Sequence, residues 1–269
     1  MKRKIFFAVV LFAGVSACTK VPISGRKQLN MIPESTLIGM SLTNYSDFLS
    51  KNPKMPDSDP NTQLVKKVGV NIQNAVTKFM SSNKKYKKRI AGYNWQFNLV
   101  KEDKTVNAWC MPGGKVVVYS GLLPVTQNEI ALAVVMGHEI AHAIARHGNE
   151  RMSQGLLVQT GAAVLSVAVS GQSAVTQNIF NQSYGAASGL GVLAYSRSHE
   201  SEADKLGLVF MAMAGYDPHE AIAFWQRMAK MSKGEGLTIL STHPSDEKRI
   251  EEIKKFLPKA MKYYKPIVQ

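Results

Sequence analysis

Cysteine is scarce in this chain. Cys18 and Cys110 are its two thiols in 269 residues. Neither lies in a C-x-x-C pair, which excludes a cysteine-based metal knuckle. Acidic residues are few as well, 19 against 33 lysines and arginines, for a formal charge of +14. A long hydrophobic run is missing. The most apolar stretch, LLVQTGAAVLSVAV at residues 156–169, is interrupted by Gln159 and Thr160. It falls short of the roughly 20 residues that cross a bilayer, so a multi-span membrane protein is excluded. No internal repeat and no nucleic-acid recognition motif is present. The basic clusters at 84–89 and 248–265 therefore read as solvated lysine-rich faces. Attraction to anionic lipid head groups is their second use, and no nucleic-acid partner is expected. With 45% apolar residues the chain has enough material for a proper core.

The first residues read as an export signal. Lys2, Arg3 and Lys4 precede a nine-residue apolar run at 5–13, and small residues lead to Cys18. Val15-Ser16-Ala17-Cys18 resembles a bacterial lipobox. Residues 1–17 are then a lipoprotein signal peptide, and Cys18 is lipidated and anchors the chain to a membrane. The other reading is a plain signal peptide cut nearby, with Cys18 incidental. Thr19 stands where an Asp would signal inner-membrane retention. The expected place is thus the bacterial cell envelope, at the outer membrane facing the periplasm. If Cys18 carries lipid, Cys110 has no disulfide partner.

Residues 18–60 read as a tether and wrapping arm with a helix over 34–52, broken by the turn-rich PKMPDSDP at 53–60. Helical spacing returns over 61–80, where Leu64, Val68, Ile72, Val76 and Met80 form one stripe. Tyr93, Trp95, Phe97 and Leu99 alternate with polar residues, predicting a half-buried strand. Residues 106–109 predict a second strand, 111–114 a turn and KVVVY at 115–119 a third strand. Thr126 to Glu129 spells a capping box, so a helix starts there and stops near Gly148. Helices are predicted over 150–169, 194–214, from Asp217-Pro218 onward and from about Ser245. Between them, 171–191 is rich in Gly, Ser, Asn and Gln and reads as a flexible loop. The class is α+β and mainly helical, with a small sheet over the helix that carries HEIAH.

HEIAH places His138 and His142 four residues apart, on one helix face, where two imidazoles can share an ion. Zinc suits nitrogen ligands in near-tetrahedral geometry. Glu139 lies beside them, where a carboxylate can take a proton from zinc-activated water and pass it to a leaving amine. The motif alone is equally two histidines on an ordinary helix, so a third ligand decides. A metzincin would have Gly at 145 and His at 148, but Ala145 and Gly148 stand there. His147, one position off, reads as a structural or ligand-supporting histidine. A gluzincin would draw a Glu from a later helix. Glu200 and Asp204 in SRSHESEADKLG are one turn apart, as a ligand and the carboxylate that orients a ligand histidine would be. Glu200, Glu202 and Asp204 equally form an acidic solvent face.

HEIAH followed some sixty residues later by E-x-E-A-D-x-x-G resembles the CAAX prenyl protease and HtpX-like zinc metallopeptidases. NAWCMPGGK at 107–115, VYSGLL at 118–123, Thr242-His243-Pro244 with Arg249 and Ile250, and the arm SGRKQL at 24–29 resemble further segments, the last of a periplasmic lipoprotein branch. The chain lacks the several membrane spans of the prenyl protease, so that substrate class does not carry over. The resemblance implies a zincin-type metallopeptidase domain over 61–269 with one Zn2+ per chain. His138, His142 and Glu200 would hold the zinc, Glu139 would be the base, and Asp204 would support a ligand. It further implies a mixed sheet whose edge strand lies over the active helix. That edge would be formed by Gly114, Lys115, Val116, Val117 and Val118, to which substrate backbone pairs. His243 would assist the oxyanion or fill the open coordination position at rest, or be a plain loop histidine. Arg249 would pair with an acid near the site or face solvent. The implied activity is zinc-dependent endopeptidase action on unfolded or misfolded envelope proteins. The competing class is an outer-membrane protein assembly or chaperone-like binding factor with a latent zinc site.

Overall fold

The structure, a computed structural model, describes residues 18–160, 173–184, 195–231, 238–243 and 247–266. The expected signal peptide at 1–17, residues 161–169 of the apolar stretch, Pro244 and Ser245 lie outside the described residues, as does the side chain of Cys18. Among the described residues no helix is long and apolar enough to cross a membrane.

The arm begins as an antiparallel pair, β1 (Cys18–Lys20) with β2 (Lys27–Leu29). Helix α1 (Glu34–Lys51) follows, then α2 (Pro60–Ser81). Asp59 caps α2 by accepting from the Asn61 and Thr62 amides, and Pro60 sits where its missing N–H costs nothing. The apolar stripe of α2 is buried from Val68 to Met80.

A three-stranded sheet holds β3 (Gln96–Val100), β4 (Ala108–Met111) and β5 (Lys115–Tyr119) in the order β3-β5-β4. β3 runs parallel and β4 antiparallel to β5. The β4–β5 turn needs left-handed backbone at Gly113 and Gly114, φ +87° and +79°. Val116 and Val118 point into the core shared with α2, while Val117 and Tyr119 pack with Tyr45 and Phe48 of α1. Both sheet faces are therefore covered. β3 is not half-buried as its alternation predicts, because Asn98 is enclosed and donates to the Tyr45 hydroxyl. The second strand runs over Ala108–Met111, two residues later than predicted.

After a short turn of helix, α3 (Leu123–Thr126), the chain enters α4 (Glu129–Ala145). The capping box is a correction. Thr126 closes α3 and donates to Leu123 O, Gln127 adopts φ 66°, and Asn128 caps α4 by accepting from Ala131 N. α4 also stops three residues before Gly148. Arg146 takes φ 60°, held by an ion pair to Glu34 at 3.0 Å, and α5 (His147–Thr160) starts at once. The predicted loop over 171–191 contains α6 (Ala174–Tyr184). Its polar composition hides Ile179 and Phe180, which bury against Met152 and Leu156.

Ser196 caps α7 (Arg197–Met213), which packs along α4. The two backbones meet at paired glycines. A Cβ on Gly207 would lie 3.0 Å from His138 N, and one on Gly137 3.1 Å from Gly207 O. Then come α8 (Glu220–Met231), α9 (Thr238–Thr242) and α10 (Glu247–Ala260). α8 starts two residues after Pro218, since Asp217 caps through the His219 amide. The α+β class stands, with α4 buried from Ala131 to Ala145 between the sheet, α2, α7 and α8.

Candidate metal centre

α4 contributes His138, Glu139 and His142, α7 contributes Glu200 and Asp204, and the last described segments bring His243 and Arg249. All seven side chains are buried. One ligand atom each from His138, His142, Glu200 and His243 lies within 4.8 Å of the others. His138 Nε2 is 3.0 Å from His142 Nε2, 3.3 Å from Glu200 Oε2 and 3.3 Å from His243 Nδ1. Glu200 Oε1 is 3.3 Å from His142 Nε2 and 3.0 Å from His243 Nδ1. Two donors about 2.1 Å from a zinc ion at the tetrahedral angle are about 3.4 Å apart. The donor set and its spacing therefore fit zinc.

The surrounding contacts fix the rings. Asp204 Oδ1 lies 2.9 Å from His138 Nδ1, which leaves Nε2 toward the cluster. Arg249 donates to both Asp204 oxygens at 2.7 and 2.8 Å, pairs with Glu200 at 3.2 Å, and stacks on Trp225 at 3.5 Å. Tyr195 stacks on the His142 ring at 3.9 Å. Glu139 Oε1 is buried without a hydrogen bond, 3.6 Å from His243 Nε2.

Charge follows the same geometry. Burial pushes the Glu139 carboxyl up. Burial also opposes charge on Glu200, yet His243, His138 and His142 hold that carboxyl well below its usual range. Burial works against a charged His138, but Asp204 and Glu200 raise it to about 9. His142 is pushed well below its usual value by burial. Burial thus makes the Glu139 carboxylate more basic while the histidines keep Glu200 charged, and a more basic carboxylate is the better proton acceptor.

The sequence over residues 70–257 matches the model of peptidase family M48. The chain belongs to peptidase family M48. The resemblance drawn from the motifs is borne out at that level, and the chain is a metalloendopeptidase of a metal-dependent family. It is similar to the mitochondrial metalloendopeptidase OMA1 of Schizosaccharomyces pombe, 34% identical over 265 residues, 95% of this chain and 72% of that protein. The OMA1 of Saccharomyces cerevisiae is 29% identical over 272 residues, 96% of this chain and 76% of its own length. A putative beta-barrel assembly-enhancing protease of Vibrio cholerae is 33% identical over 161 residues, 56% of this chain and 32% of that protein.

Within this M48 domain one predicted role fails. Gly114 and the strand residues Lys115, Val116, Val117 and Val118 do not form an edge, because β5 is paired on both sides. A short β-branched run covered on both faces is what a central strand looks like. The edge beside α4 belongs to β4. Tyr119 N donates to Asn107 O, so the register turns the backbone groups of Ala108 and Cys110 away from β5. The acidic solvent face fails as well, since Glu200, Glu202 and Asp204 are all buried. Sequence reasoning did not find the contacts made by Glu202. His147 Nε2 reaches it at 2.9 Å and Arg26 Nε at 2.9 Å. Its only local sign was the extra Glu inside E-x-E-A-D.

Proposed function

We propose that His138, His142 and Glu200 hold one Zn2+ per chain and that Glu139 moves the proton during peptide-bond hydrolysis. The cluster of buried donors at zinc-like spacing, with Glu139 beside it, carries this reading. When bound, zinc would polarise the scissile carbonyl and acidify water. Glu139 receives the proton on its unpartnered oxygen and returns it to the leaving amine. Asp204 keeps His138 in its ligating tautomer, and Arg249 balances the charge of Asp204 and Glu200. Substrate backbone adds to the outer edge of β4, at Ala108 and Cys110.

The substrates we infer are unfolded or misfolded envelope proteins, with the chain anchored through Cys18 at the outer membrane of a bacterium. Support comes from the lipobox-like start and from the beta-barrel assembly named in the Vibrio cholerae relative. The test is casein cleavage by purified protein of known zinc content, beside Glu139→Gln. Chelator-sensitive cleavage lost in the variant is expected. Equal rates in the two would remove the base assignment.

A second reading is a latent site. His243 Nδ1 occupies the remaining corner of the donor cluster. Ile239 N of α9 meanwhile donates to Val106 O, two residues before β4. Such an enzyme would serve first as an assembly or binding factor and cut only after α9 moves. Under it His243→Ala raises casein cleavage. A fall would instead assign His243 to the reaction.

A further inference from the structure

A line of polar contacts leads out of the metal centre behind His142 and ends on the N-terminal arm. His142 Nδ1 faces His147 Nδ1 at 2.9 Å. His147 Nε2 lies 2.9 Å from Glu202 Oε2. Arg26 Nε donates to that same oxygen at 2.9 Å, and the Ser24 hydroxyl donates to the other. The rest of the Arg26 guanidinium grips Glu150 of α5 at 2.8 and 2.7 Å. Gln28 donates to Glu150 too, and His199 lies 3.1 Å from it.

The chemistry gives this line a direction. A guanidinium only donates. The ionised Glu202 it holds only accepts, so His147 must carry its hydrogen on Nε2. In its neutral form His147 then has a bare Nδ1 that accepts, so His142 carries its hydrogen on Nδ1. That leaves the lone pair of His142 on Nε2, the atom that faces His138 and Glu200. His147 is fully buried and Glu202 nearly so, which leaves little access for water to replace a missing partner.

We propose that Arg26 is a positioning residue of the metal centre. By fixing Glu202, it sets through His147 which nitrogen of His142 is offered to the ion. The arm after residue 18 is then a working part of the site rather than a tether. This inference rests on the reading of His142 as a zinc ligand.

The test uses the full-length protein. Zinc dissociation constants are measured by competition with a chromogenic chelator for wild type, Arg26→Met, Arg26→Lys, Glu202→Gln and Arg26→Met with Glu202→Gln. Urea unfolding of the metal-free proteins checks the fold. Supporting contacts of ligand histidines change affinity about 10–100-fold. Arg26 acts two steps further out, behind His147 and Glu202, so Arg26→Met is expected to weaken zinc by about tenfold, the low end of that range. In the Glu202→Gln background the same change should add less than about twofold, because the route is already cut. If Arg26→Met does not fold, Arg26→Lys carries the test. A point charge cannot hold both carboxylates as the fork does, and most of the tenfold loss should persist. Wild-type zinc affinity in a folded Arg26 variant, or full multiplication of the two losses, would overturn the proposal. A wild type that binds no zinc would instead sink the metal-site reading on which it rests.

Discussion

Gly207→Ala should damage the enzyme although alanine is the better helix former. A Cβ there would meet His138 N at 3.0 Å and Gly137 C and His138 Cα at 3.1 Å. These are backbone atoms of α4, so no side chain can swing away. Restoring ordinary contact at about 3.5 Å or more requires the helices to part by about 0.5 Å. Overpacking of this kind costs about 1–3 kcal/mol, against a helix-propensity gain of about 1 kcal/mol. The net is a loss of up to about 2 kcal/mol, a Tm decrease of up to a few degrees for a domain this size. Because the clash falls on His138 itself, the spacing between His138 and Glu200 shifts and zinc affinity should drop as well. Calorimetry with and without zinc, plus chelator competition, reads both effects. Gly39→Ala in α1 is the control. Nothing lies within 4 Å of its added Cβ, so about 0.5–1 kcal/mol of stabilisation is expected. A Gly207→Ala protein as stable as wild type, with unchanged zinc affinity, would refute the close-packing argument.

Glu139→Gln should retain zinc while kcat/KM for casein falls by about 100-fold or more, read by metal analysis beside the rate. Acid should weaken the hold on the arm. Burial opposes charge on Glu202, but His147, Arg26 and Ser24 lower its pKa from 4.5 to about 2. A depressed carboxyl stabilises the fold fully above pH 4.5 and loses that contribution as pH falls toward about 2. Arg26→Met should flatten this part of the stability–pH curve, and an unchanged curve would contradict the pairing. The Cys110 thiol is buried and raised well above its usual pKa, so iodoacetamide should label it only after denaturation.

Elements built on a clean period were legible. The stripe of α2 and the run of β5 follow from local spacing, whereas α7, expected from 194, starts at Arg197 under the Ser196 cap. What escaped depended on neighbours. α6 looked like a loop because two buried residues, Ile179 and Phe180, do most of its packing. β5 passed for an edge because strand order is a long-range fact that no pattern within KVVVY records. At the centre, the i, i+4 pair in HEIAH was enough to bring His138 and His142 together. Glu200 required a family pattern, since an acid on a distant helix has no spacing rule of its own. The Arg26–Glu202–His147 contacts could not be read at all, because their partners are chosen by how the arm wraps.

Arg26 and Glu202 are 176 residues apart, and His138 is 105 from His243 and 111 from Arg249. Contacts this distant form only after the intervening chain has been gathered, which slows and delays them during folding. A nascent chain that ends before residue 243 carries HEIAH and Glu200 but neither the fourth donor nor the arginine brace. The finished centre therefore cannot form until residues 243 to 249 have been made, and the order of synthesis itself withholds it until the helix that carries Arg249 has docked.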